Sequence, residues 1–318
     1  MKAVEVGPNG GTVRDDFPIP KPGENEVLIK VEYCASNPKD WKYPKFLNIY
    51  QIEGNDIVGE VFELGEGVTT LKKGDRVAAF TKMNGGQQYG AYAEYAVAPA
   101  WTTFKLDPSV KSEVAVTTPL AFMTAALGLF KNMGLKIPNK ETIVVNGASS
   151  SVGNFVVQLA KIAGMHVIGI AGAGSDYAKE AGADEVIDYR NENIVEKLKG
   201  REVHYVYDAV STDATLKTMI DIVSPHDSHI AVVIPQLKVP EGTSSQIKVH
   251  HVYVGDVHDK EDGIVFGTEW YQKLGQMLKE RKITHRYTVL GGLDKVDEGL
   301  KMLEQGKVSA TKLVYKVA

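Results

Sequence analysis

The segment NGASSSVGNFVVQLAK, residues 146–161, places small and hydroxyl residues next to an amphipathic stretch. It continues the short apolar run TIVVNG, which is typical of a buried strand, and it begins a stretch with Val152, Phe155, Val156 and Leu159 at helical spacing. A helix N-terminus here offers free N–H groups and the positive end of the helix dipole, and both favour a bound phosphate. The segment is therefore a candidate dinucleotide-binding turn.

The glycine pattern of this turn is incomplete. In a dinucleotide fingerprint the first glycine permits the turn, the second lets the pyrophosphate approach, and the third lets helix and strand pack closely. The corresponding positions are Ala148, Ser150 and Gly153, so the third glycine alone is present. Serine is also a good helix N-cap, and an ordinary capped helix start remains an alternative interpretation. The residues expected at the cofactor phosphates are Ala148, Ser149, Ser150, Ser151 and Val152.

The end of the second strand of this unit, in the run IGIAGAGSDY, indicates which dinucleotide is bound. An NAD site usually places an acidic residue there, about 20 residues after the turn, to hold the ribose 2′-OH. The strand end near Ala171 carries no acid, whereas Ser175, Lys179 and Tyr189 offer a hydroxyl, an ammonium and a phenol to a 2′-phosphate. We therefore expect NADPH. Two alternatives stay open. Lys179 could be an ordinary solvated lysine on a helix. We expect Asp176 to cap the following helix, but if it faced the ribose it would favour NAD.

The elements that must position these residues alternate between strand and helix. From about residue 112, the runs TIVVNG, HVIGIAG, DEVIDY, VHYVYDAV and HIAVVI are separated by helical stretches, which predicts parallel βαβ units. Residues 1–110 contain short alternating runs such as EVLIKVEYCA (26–35), whose period is that of a half-buried strand with Val27, Ile29, Val31 and Tyr33 on one face. These runs predict a small antiparallel, barrel-like unit. After about residue 265 a long helix and a final strand follow, and we expect that strand to rejoin the first unit.

Composition and charge narrow the function classes. The chain has 318 residues, of which 43% are hydrophobic and 24% charged, and this length predicts two domains. A net charge of -4 and a pI of about 6.1 argue against binding to nucleic acid or to an anionic membrane. Cys34 is the single cysteine, which excludes an intramolecular disulfide and a four-cysteine zinc site. The sequence shows neither a secretory signal pattern nor the run of ~20 apolar residues that spans a bilayer, so we expect a cytoplasmic protein.

Several segments together resemble the medium-chain dehydrogenase/reductase superfamily, in its zinc-free branch of quinone oxidoreductase-like and fungal-type enoyl reductase-like proteins. The resemblance covers nearly the whole chain. It implies an α/β fold with a GroES-like β-barrel catalytic domain, residues 1–115 and 266–318, and a Rossmann doubly wound parallel-sheet domain that binds NADPH, residues 116–265. The segments that carry it are SNPKDWK (36–42), GNDIVGEV (54–61), LKKGDRVAAF (71–80), GAYAEYAV (90–97), LAFMTAALGLF (120–130), GASSSVGNFVVQLAK (147–161), AGADEVIDYR (181–190) and GKVSATKLVYKV (306–317).

The metal positions of the zinc-dependent relatives are altered in this chain. The resemblance places a zinc-ligating cysteine where Asn37 stands and a His-Glu pair where Asn55 and Asp56 stand. Asparagine is not a usual zinc ligand, and Cys34 lies three residues too early. We therefore expect no metal. The eight histidines are scattered, and the pair at 250–251 is expected to be exposed or structural.

The resemblance to enoyl reductases also assigns catalytic candidates. Reduction of an activated C=C bond develops negative charge on the conjugated oxygen, which a positioned donor stabilises. Lys42 and Thr124 match cleft positions of that branch, and Asn37, at the former metal position, is a further donor candidate. Lys42 would contact the cofactor ribose or phosphate, or donate near the substrate. The alternatives are a surface lysine at position 42 and a threonine at position 124 bonded to its own helix backbone.

The remaining carried-over contacts lie late in the chain. Val233 and Ile234, at the end of HIAVVI, match a segment that passes the nicotinamide, and Lys312, in SATKLVY, matches a segment that returns to the cofactor. Taken as residues alone, the first two look like core and Lys312 like a strand-surface charge.

The sequence thus predicts an NADPH-dependent, zinc-independent reductase of an enone, enal or enoyl thioester. The alternatives are an NADPH:quinone or carbonyl reductase and a catalytically idle NADPH-binding protein. We expect a small-molecule substrate, no nucleic acid or membrane partner, and a monomer or homodimer. A synthase partner with an acidic carrier would need a basic surface patch, and no such patch is evident in the sequence.

Overall fold

The computed structural model describes residues 1–234 and 236–318. Its strands are β1 (Ala3–Gly7), β2 (Gly10–Arg14), β3 (Glu26–Ala35), β4 (Gln51–Ile52), β5 (Asp56–Leu64), β6 (Arg76–Phe80), β7 (Tyr95–Pro99), β8 (Thr103–Lys105), β9 (Thr142–Asn146), β10 (His166–Ala171), β11 (Glu185–Asp188), β12 (Tyr205–Asp208), β13 (Ser228–Val232), β14 (Ile247–His251), β15 (Tyr287–Gly291) and β16 (Lys312–Lys316). Its α-helices are α1 (Lys39–Leu47), α2 (Ser112–Ala115), α3 (Pro119–Ala126), α4 (Ser151–Ala163), α5 (Ser175–Glu180), α6 (Ile194–Leu198), α7 (Asp213–Ile222), α8 (Asp256–Asp259), α9 (Glu261–Lys279) and α10 (Val296–Glu304). Among the described residues, no helix combines the length and the apolar character needed to cross a membrane.

The chain divides into two compact units. The first combines Met1–Leu120 with Gly255–Ala318, and the second comprises Ala121–Val254. The boundaries expected from the sequence were 115/116 and 265/266. The second boundary differs because α8 packs within the first unit, where the Trp101 indole donates to the Val257 carbonyl at 2.9 Å.

The first unit is built on a mixed sheet around one long strand. The strand order is β15-β16-β3-β5-β6-β8, and β7 also pairs with β3. The pairs are antiparallel except β15 with β16, which are parallel. A second sheet has the order β2-β1-β4. Because β16 pairs with β3, the last strand rejoins the first unit, as the sequence predicts.

Strand β3 is more buried than its alternating sequence indicates. Val27, Ile29 and Val31 lie in the main core of the unit, as the pattern predicts. Leu28, on the opposite face, is also buried, in a second cluster with Val97. The expectation of a half-buried strand therefore holds at Lys30, which is exposed, and fails at Leu28, where apolar side chains cover the second face.

The second unit is a parallel sheet of the doubly wound type. Its strand order is β11-β10-β9-β12-β13-β14, with every neighbouring pair parallel. Five of these strands were expected from the sequence, whereas β14 was not, because IKVHH alternates polar and apolar residues as an edge strand does. Helix α4 buries Phe155, Val156 and Leu159 and follows β9 directly, so the strand–turn–helix is confirmed.

Candidate active site

The turn between β9 and α4 is held against the neighbouring strand by backbone hydrogen bonds. The N–H groups of Gly147 and Ala148 both donate to the Ile170 carbonyl of β10, each at 3.0 Å. Gly147 has φ = +75°, a left-handed conformation that glycine adopts without steric cost. The tight turn thus uses a glycine one position before the first fingerprint position.

The start of α4 combines a capped turn with close packing. Ser150 is the N-cap residue, and its Oγ accepts from the Gly153 N–H at 3.1 Å. A Cβ on Gly153 would lie 2.1 Å from the Gly147 carbonyl oxygen, so the third glycine is needed for the contact between helix and turn. Helix geometry leaves the N–H groups of Ser151 and Val152 without an intrahelical acceptor. The capped-helix interpretation is correct for Ser150, and it is compatible with phosphate binding at the neighbouring N–H groups.

The structure brings two of the predicted 2′-phosphate residues together at the end of β10. Ser175 Oγ donates to the Gly172 carbonyl at 2.8 Å. The Tyr189 ring lies over Gly172, whose Cβ would be 2.9 Å from the phenol oxygen, and 59% of Tyr189 is exposed. Lys179 is exposed on α5, one helical turn after Ser175. The expectation that Asp176 caps this helix is wrong, because α5 begins after Gly174 without a side-chain cap.

A buried polar network, which the sequence did not reveal, joins the carboxyl ends of three strands. Asp208, at the end of β12, accepts from Asn146 Nδ2 at 2.7 Å at the end of β9 and from the Ser211 N–H at 2.9 Å. Ser211 Oγ donates to the Asp208 carbonyl at 2.6 Å and accepts from the Val233 N–H at 2.8 Å. This network fixes the backbone at Val233. Ile234, half-buried, accepts from the Leu237 N–H at 3.2 Å. The sequence signal that could have revealed this network is a polar residue at the end of each of two apolar strands, Asn146 in β9 and Asp208 in β12.

Thr124 and Lys42 lie in different environments. Thr124 is buried on α3, and its carbonyl accepts from the Tyr207 hydroxyl at 2.7 Å. Burial raises the pKa of Tyr207, so that hydroxyl stays protonated and keeps donating. Lys42 is exposed on α1, with its Nζ 5.6 Å from the centroid of the Trp41 ring.

A buried cluster in the first unit joins Asn37, Asp56 and Lys312. The Lys312 ammonium lies 2.6 Å from Asp56 Oδ2 and donates to Asn37 Oδ1 at 2.9 Å. Asn37 Nδ2 donates to the same Asp56 oxygen at 2.7 Å. The three residues are 4%, 0% and 2% exposed, respectively. The alternative of Lys312 as a strand-surface charge is therefore wrong, because its side chain points inward to a carboxylate.

Further hydrogen bonds hold this cluster in place. Asp56 Oδ1 accepts from the Leu120 N–H at 2.6 Å, and the Asn37 N–H donates to Asp40 Oδ2 at 2.8 Å. The Tyr92 hydroxyl donates to the same Asp40 oxygen, and burial raises the pKa of Tyr92 well above its usual value. Burial likewise raises the pKa of the Cys34 thiol, which therefore stays uncharged and is a poor metal ligand.

The residues at the former metal positions do not fit a zinc ion. An ammonium already lies between Asn37 and Asp56, and a second cation there would be repelled by it. Asn55 donates from Nδ2 to Thr81 Oγ1 at 3.0 Å and to the Thr81 carbonyl at 3.2 Å. Throughout residues 1–234 and 236–318, histidine, cysteine and acidic side chains form no group of three that could hold a metal ion.

Comparisons with known proteins agree with this architecture. The family model for the alcohol dehydrogenase GroES-like domain matches residues 23–108, and that for zinc-binding dehydrogenase matches residues 151–274. Trans-enoyl reductase fsr4 of Gibberella fujikuroi is 37% identical over 77% of each chain, and a chloroplast envelope quinone oxidoreductase homolog of Arabidopsis thaliana is 40% identical over 60% of this chain and 61% of its own. A mycobacterial protein solved with NADPH has a TM-score of 0.81, with 25% identity over 99% of each chain. The chain therefore belongs to the medium-chain dehydrogenase/reductase superfamily and is an oxidoreductase of its enoyl reductase and quinone oxidoreductase branch.

Proposed function

We propose that this oxidoreductase uses NADPH, without zinc, to reduce an activated C=C bond in an enone, enal or enoyl thioester. The observation that carries the proposal is the Lys312 ammonium, which lies between Asn37 and Asp56. At the positions where zinc-dependent relatives would need metal ligands, this chain therefore has a hydrogen-bonded cluster. The relative fsr4, which is named a trans-enoyl reductase, supports the choice of substrate class.

The donor set around the second unit's sheet supports NADPH. The N–H groups of Ser151 and Val152 would hold the pyrophosphate, with the Ser149 and Ser151 hydroxyls as further donors. The end of β10 has no acidic side chain, and Ser175 and Tyr189 meet there beside Gly172. When bound, NADPH supplies the hydride. The mycobacterial structural neighbour, which was solved with NADPH, is consistent with this assignment.

The protein's own contribution is orientation and electrostatic stabilisation. As hydride reaches the β-carbon, negative charge grows on the conjugated oxygen, and a preorganised N–H or O–H donor lowers the barrier. Asn37 Nδ2 and the Thr124 hydroxyl are the proposed donors, and Lys42 is proposed to contact the cofactor. Water protonates the α-carbon, because neither Asn37 nor Thr124 has an acidic proton to give.

A substrate panel tests the proposal directly. NADPH oxidation is followed with cyclohexenone, hexenal, a crotonyl thioester and naphthoquinone, each at several concentrations. We expect saturable turnover of at least one of the first three, with the saturated product confirmed by mass spectrometry. Saturable NADPH binding without turnover of any substrate would instead show an idle binding protein.

Quinone reduction is the second candidate function. The observation in its favour is the 40% identity to the quinone oxidoreductase homolog of Arabidopsis thaliana. The same panel separates the two functions, because an enone reductase converts cyclohexenone or hexenal whereas a strict quinone reductase converts naphthoquinone alone. Formation of the unsaturated alcohol from hexenal would point to carbonyl reduction.

The choice of NADPH over NADH is tested at Lys179. This residue is exposed on α5 and lies one turn from Ser175, so its ammonium can pair with a 2′-phosphate. Lys179→Ala is expected to weaken NADPH binding about fivefold to tenfold and to leave NADH binding unchanged. Lys217→Ala, at an exposed position of α7, is the matched control. An equal effect of Lys179→Ala on both dinucleotides would refute this role.

We further propose that the enzyme is cytoplasmic, acts on a free small molecule, and is a monomer or homodimer. The net charge of -4 supports the absence of a nucleic-acid partner.

A further inference from the structure

The cluster of Asn37, Asp56 and Lys312 carries an inference that rests on the proposed reductase function. We infer that Lys312 and Asp56 are positioning residues: they lock the side-chain amide of Asn37 in one orientation, with one Nδ2 hydrogen left for the substrate oxygen. In this arrangement Lys312 acts through Asn37, and its role differs from the cofactor contact that its position in the chain predicts.

The chemistry of the partners determines which way the amide faces. An ammonium can only donate hydrogen bonds, and an ionised carboxylate can only accept them. The Asn37 oxygen must therefore face Lys312, at 2.9 Å, and its nitrogen must face Asp56, at 2.7 Å. A flipped amide would place the Asn37 NH₂ group against the Lys312 ammonium and the Asn37 oxygen against the Asp56 carboxylate oxygen. The orientation is thus set by charge.

The geometry also identifies which Nδ2 hydrogen is used. Asp56 Oδ2 contacts both the Lys312 ammonium, at 2.6 Å, and Asn37 Nδ2, while that ammonium contacts Asn37 Oδ1. These contacts close a ring on the Oδ1 side of the amide, so the hydrogen given to Asp56 is the one on that side. Among the described residues, Asp56 is the acceptor bonded to Nδ2. The second hydrogen points out of the ring.

The fold holds the three residues rigidly. Asn37 follows β3, Asp56 begins β5 and Lys312 begins β16, and β3 pairs with both of the other strands. The Leu120 N–H fixes the other Asp56 oxygen, and all three side chains are almost fully buried. The ammonium withdraws charge from the amide oxygen, which makes the remaining N–H a stronger donor. A donor that needs no reorganisation is what stabilises charge growing on a conjugated oxygen.

Kinetics of matched variants test this role. Lys312→Met removes the ammonium and keeps the side-chain volume, and Lys316→Met, at an exposed position of the same strand, is the control. We expect kcat for the enone to fall at least about tenfold in Lys312→Met, with NADPH affinity within about twofold of wild type. The control should match wild type in both.

A double variant separates positioning from folding. Lys312→Met alone leaves the Asp56 carboxylate buried and unpaired, which is destabilising. Lys312→Met/Asp56→Asn removes both charges, and the introduced amide oxygen can still accept from the Leu120 N–H. The introduced NH₂ then faces Asn37, whose own amide flips. We therefore expect normal folding and NADPH binding with kcat still reduced. Recovery of wild-type kcat in the double variant would show a purely structural ion pair and overturn the inference.

An NMR measurement keeps this inference independent of the reaction. With selective ¹⁵N-asparagine labelling, the Asn37 side-chain amide is assigned from its loss in Asn37→Ala. We expect two well-separated, slowly exchanging Nδ2 protons in wild type and in Lys316→Met, and a changed shift with faster exchange in Lys312→Met. An unchanged amide in Lys312→Met would refute the positioning role. Wild type that shows the locked amide but reduces no substrate would refute the reductase function instead.

Discussion

The glycines of the cofactor turn have separate tasks: the turn glycine stands one position before the first fingerprint position, and the packing glycine stands at the third. Gly147, with φ = +75°, permits the turn, and Gly153 allows the close contact with the Gly147 carbonyl. Ala148 is buried beneath the turn and Ser150 caps the helix, so neither position requires the conformational freedom of glycine. The turn is therefore a complete structure with fewer glycines.

A substitution at Gly153 tests this division. The Cβ of Gly153→Ala would lie 2.1 Å from a backbone oxygen, so α4 must shift away from the turn. We expect a loss of about 1–3 kcal/mol in the free energy of unfolding and about tenfold weaker NADPH binding, measured by urea denaturation and fluorescence titration. Gly275→Ala is the control, because its Cβ would lie 3.3 Å from the Lys105 carbonyl oxygen and would need a far smaller shift than the 2.1 Å contact at Gly153. Equal behaviour of the two variants would contradict the packing role.

At the scale of elements, the carboxyl ends of the parallel strands are joined by the Asp208 network. This carboxylate accepts from Asn146, from the N–H groups of Val210 and Ser211, and from the Thr215 hydroxyl. Ligands of open parallel sheets bind at this edge. The network therefore sets the backbone against which a dinucleotide would lie.

Removal of the Asp208 carboxylate should disrupt that edge. In Asp208→Ala several donors lose a charged acceptor, and we expect the free energy of unfolding to fall by more than about 3 kcal/mol. At a temperature where the variant stays folded, NADPH binding should also weaken. Asp213→Ala, at an exposed position in the first turn of α7, should lower the free energy of unfolding by less than about 1 kcal/mol and leave NADPH binding unchanged. Stability within about 1 kcal/mol of wild type in Asp208→Ala would rule out this role.

The elements with strong periodicity were predictable from the sequence, and the pairings between distant residues were not. The β9–turn–α4 unit follows from local spacing alone. Strand β14 was missed because an edge strand lacks the apolar run of a central one. Lys312 and Asp56 lie 256 residues apart, so nothing local shows that the lysine is buried and paired. That Asn37 stands where zinc-dependent relatives place a metal ligand was evident from the resemblance, but its hydrogen bonds to Asp56 and Lys312 were not.

At the scale of the whole molecule, two buried histidines and one partly buried histidine make stability depend on pH. Burial lowers the pKa of His258 and of His250 to about 4 and that of His285 to about 3, from 6.5. These residues are neutral in the folded protein, whereas the unfolded chain takes up protons below about pH 6.5. The free energy of unfolding therefore falls as the pH is lowered from about 6.5 to about 4.

Acid denaturation measures this effect. Each histidine is expected to cost roughly 1.4 kcal/mol for each pH unit below about 6. The urea midpoint should thus be clearly lower at about pH 5 than at about pH 7. Ionised carboxyls such as Glu185, whose pKa is lowered to about 2 by its hydrogen bond to Arg201, add their loss only at lower pH. His258→Gln should reduce the pH dependence, with His226→Gln, at an exposed position, as the comparison variant. Equal midpoints at the two pH values would contradict the assignment.

The most direct test of a metal-independent, NADPH-dependent C=C reductase is one hydride-transfer measurement. The protein is dialysed against a chelator, its zinc content is measured, and it is incubated with NADPH that carries deuterium at both C4 positions of the nicotinamide and with the crotonyl thioester or enone. We predict that the rate is unchanged by chelation and that the saturated product carries deuterium at the β-carbon. Loss of the reaction on chelation with recovery on added zinc, or absence of deuterium from the product, would contradict this function.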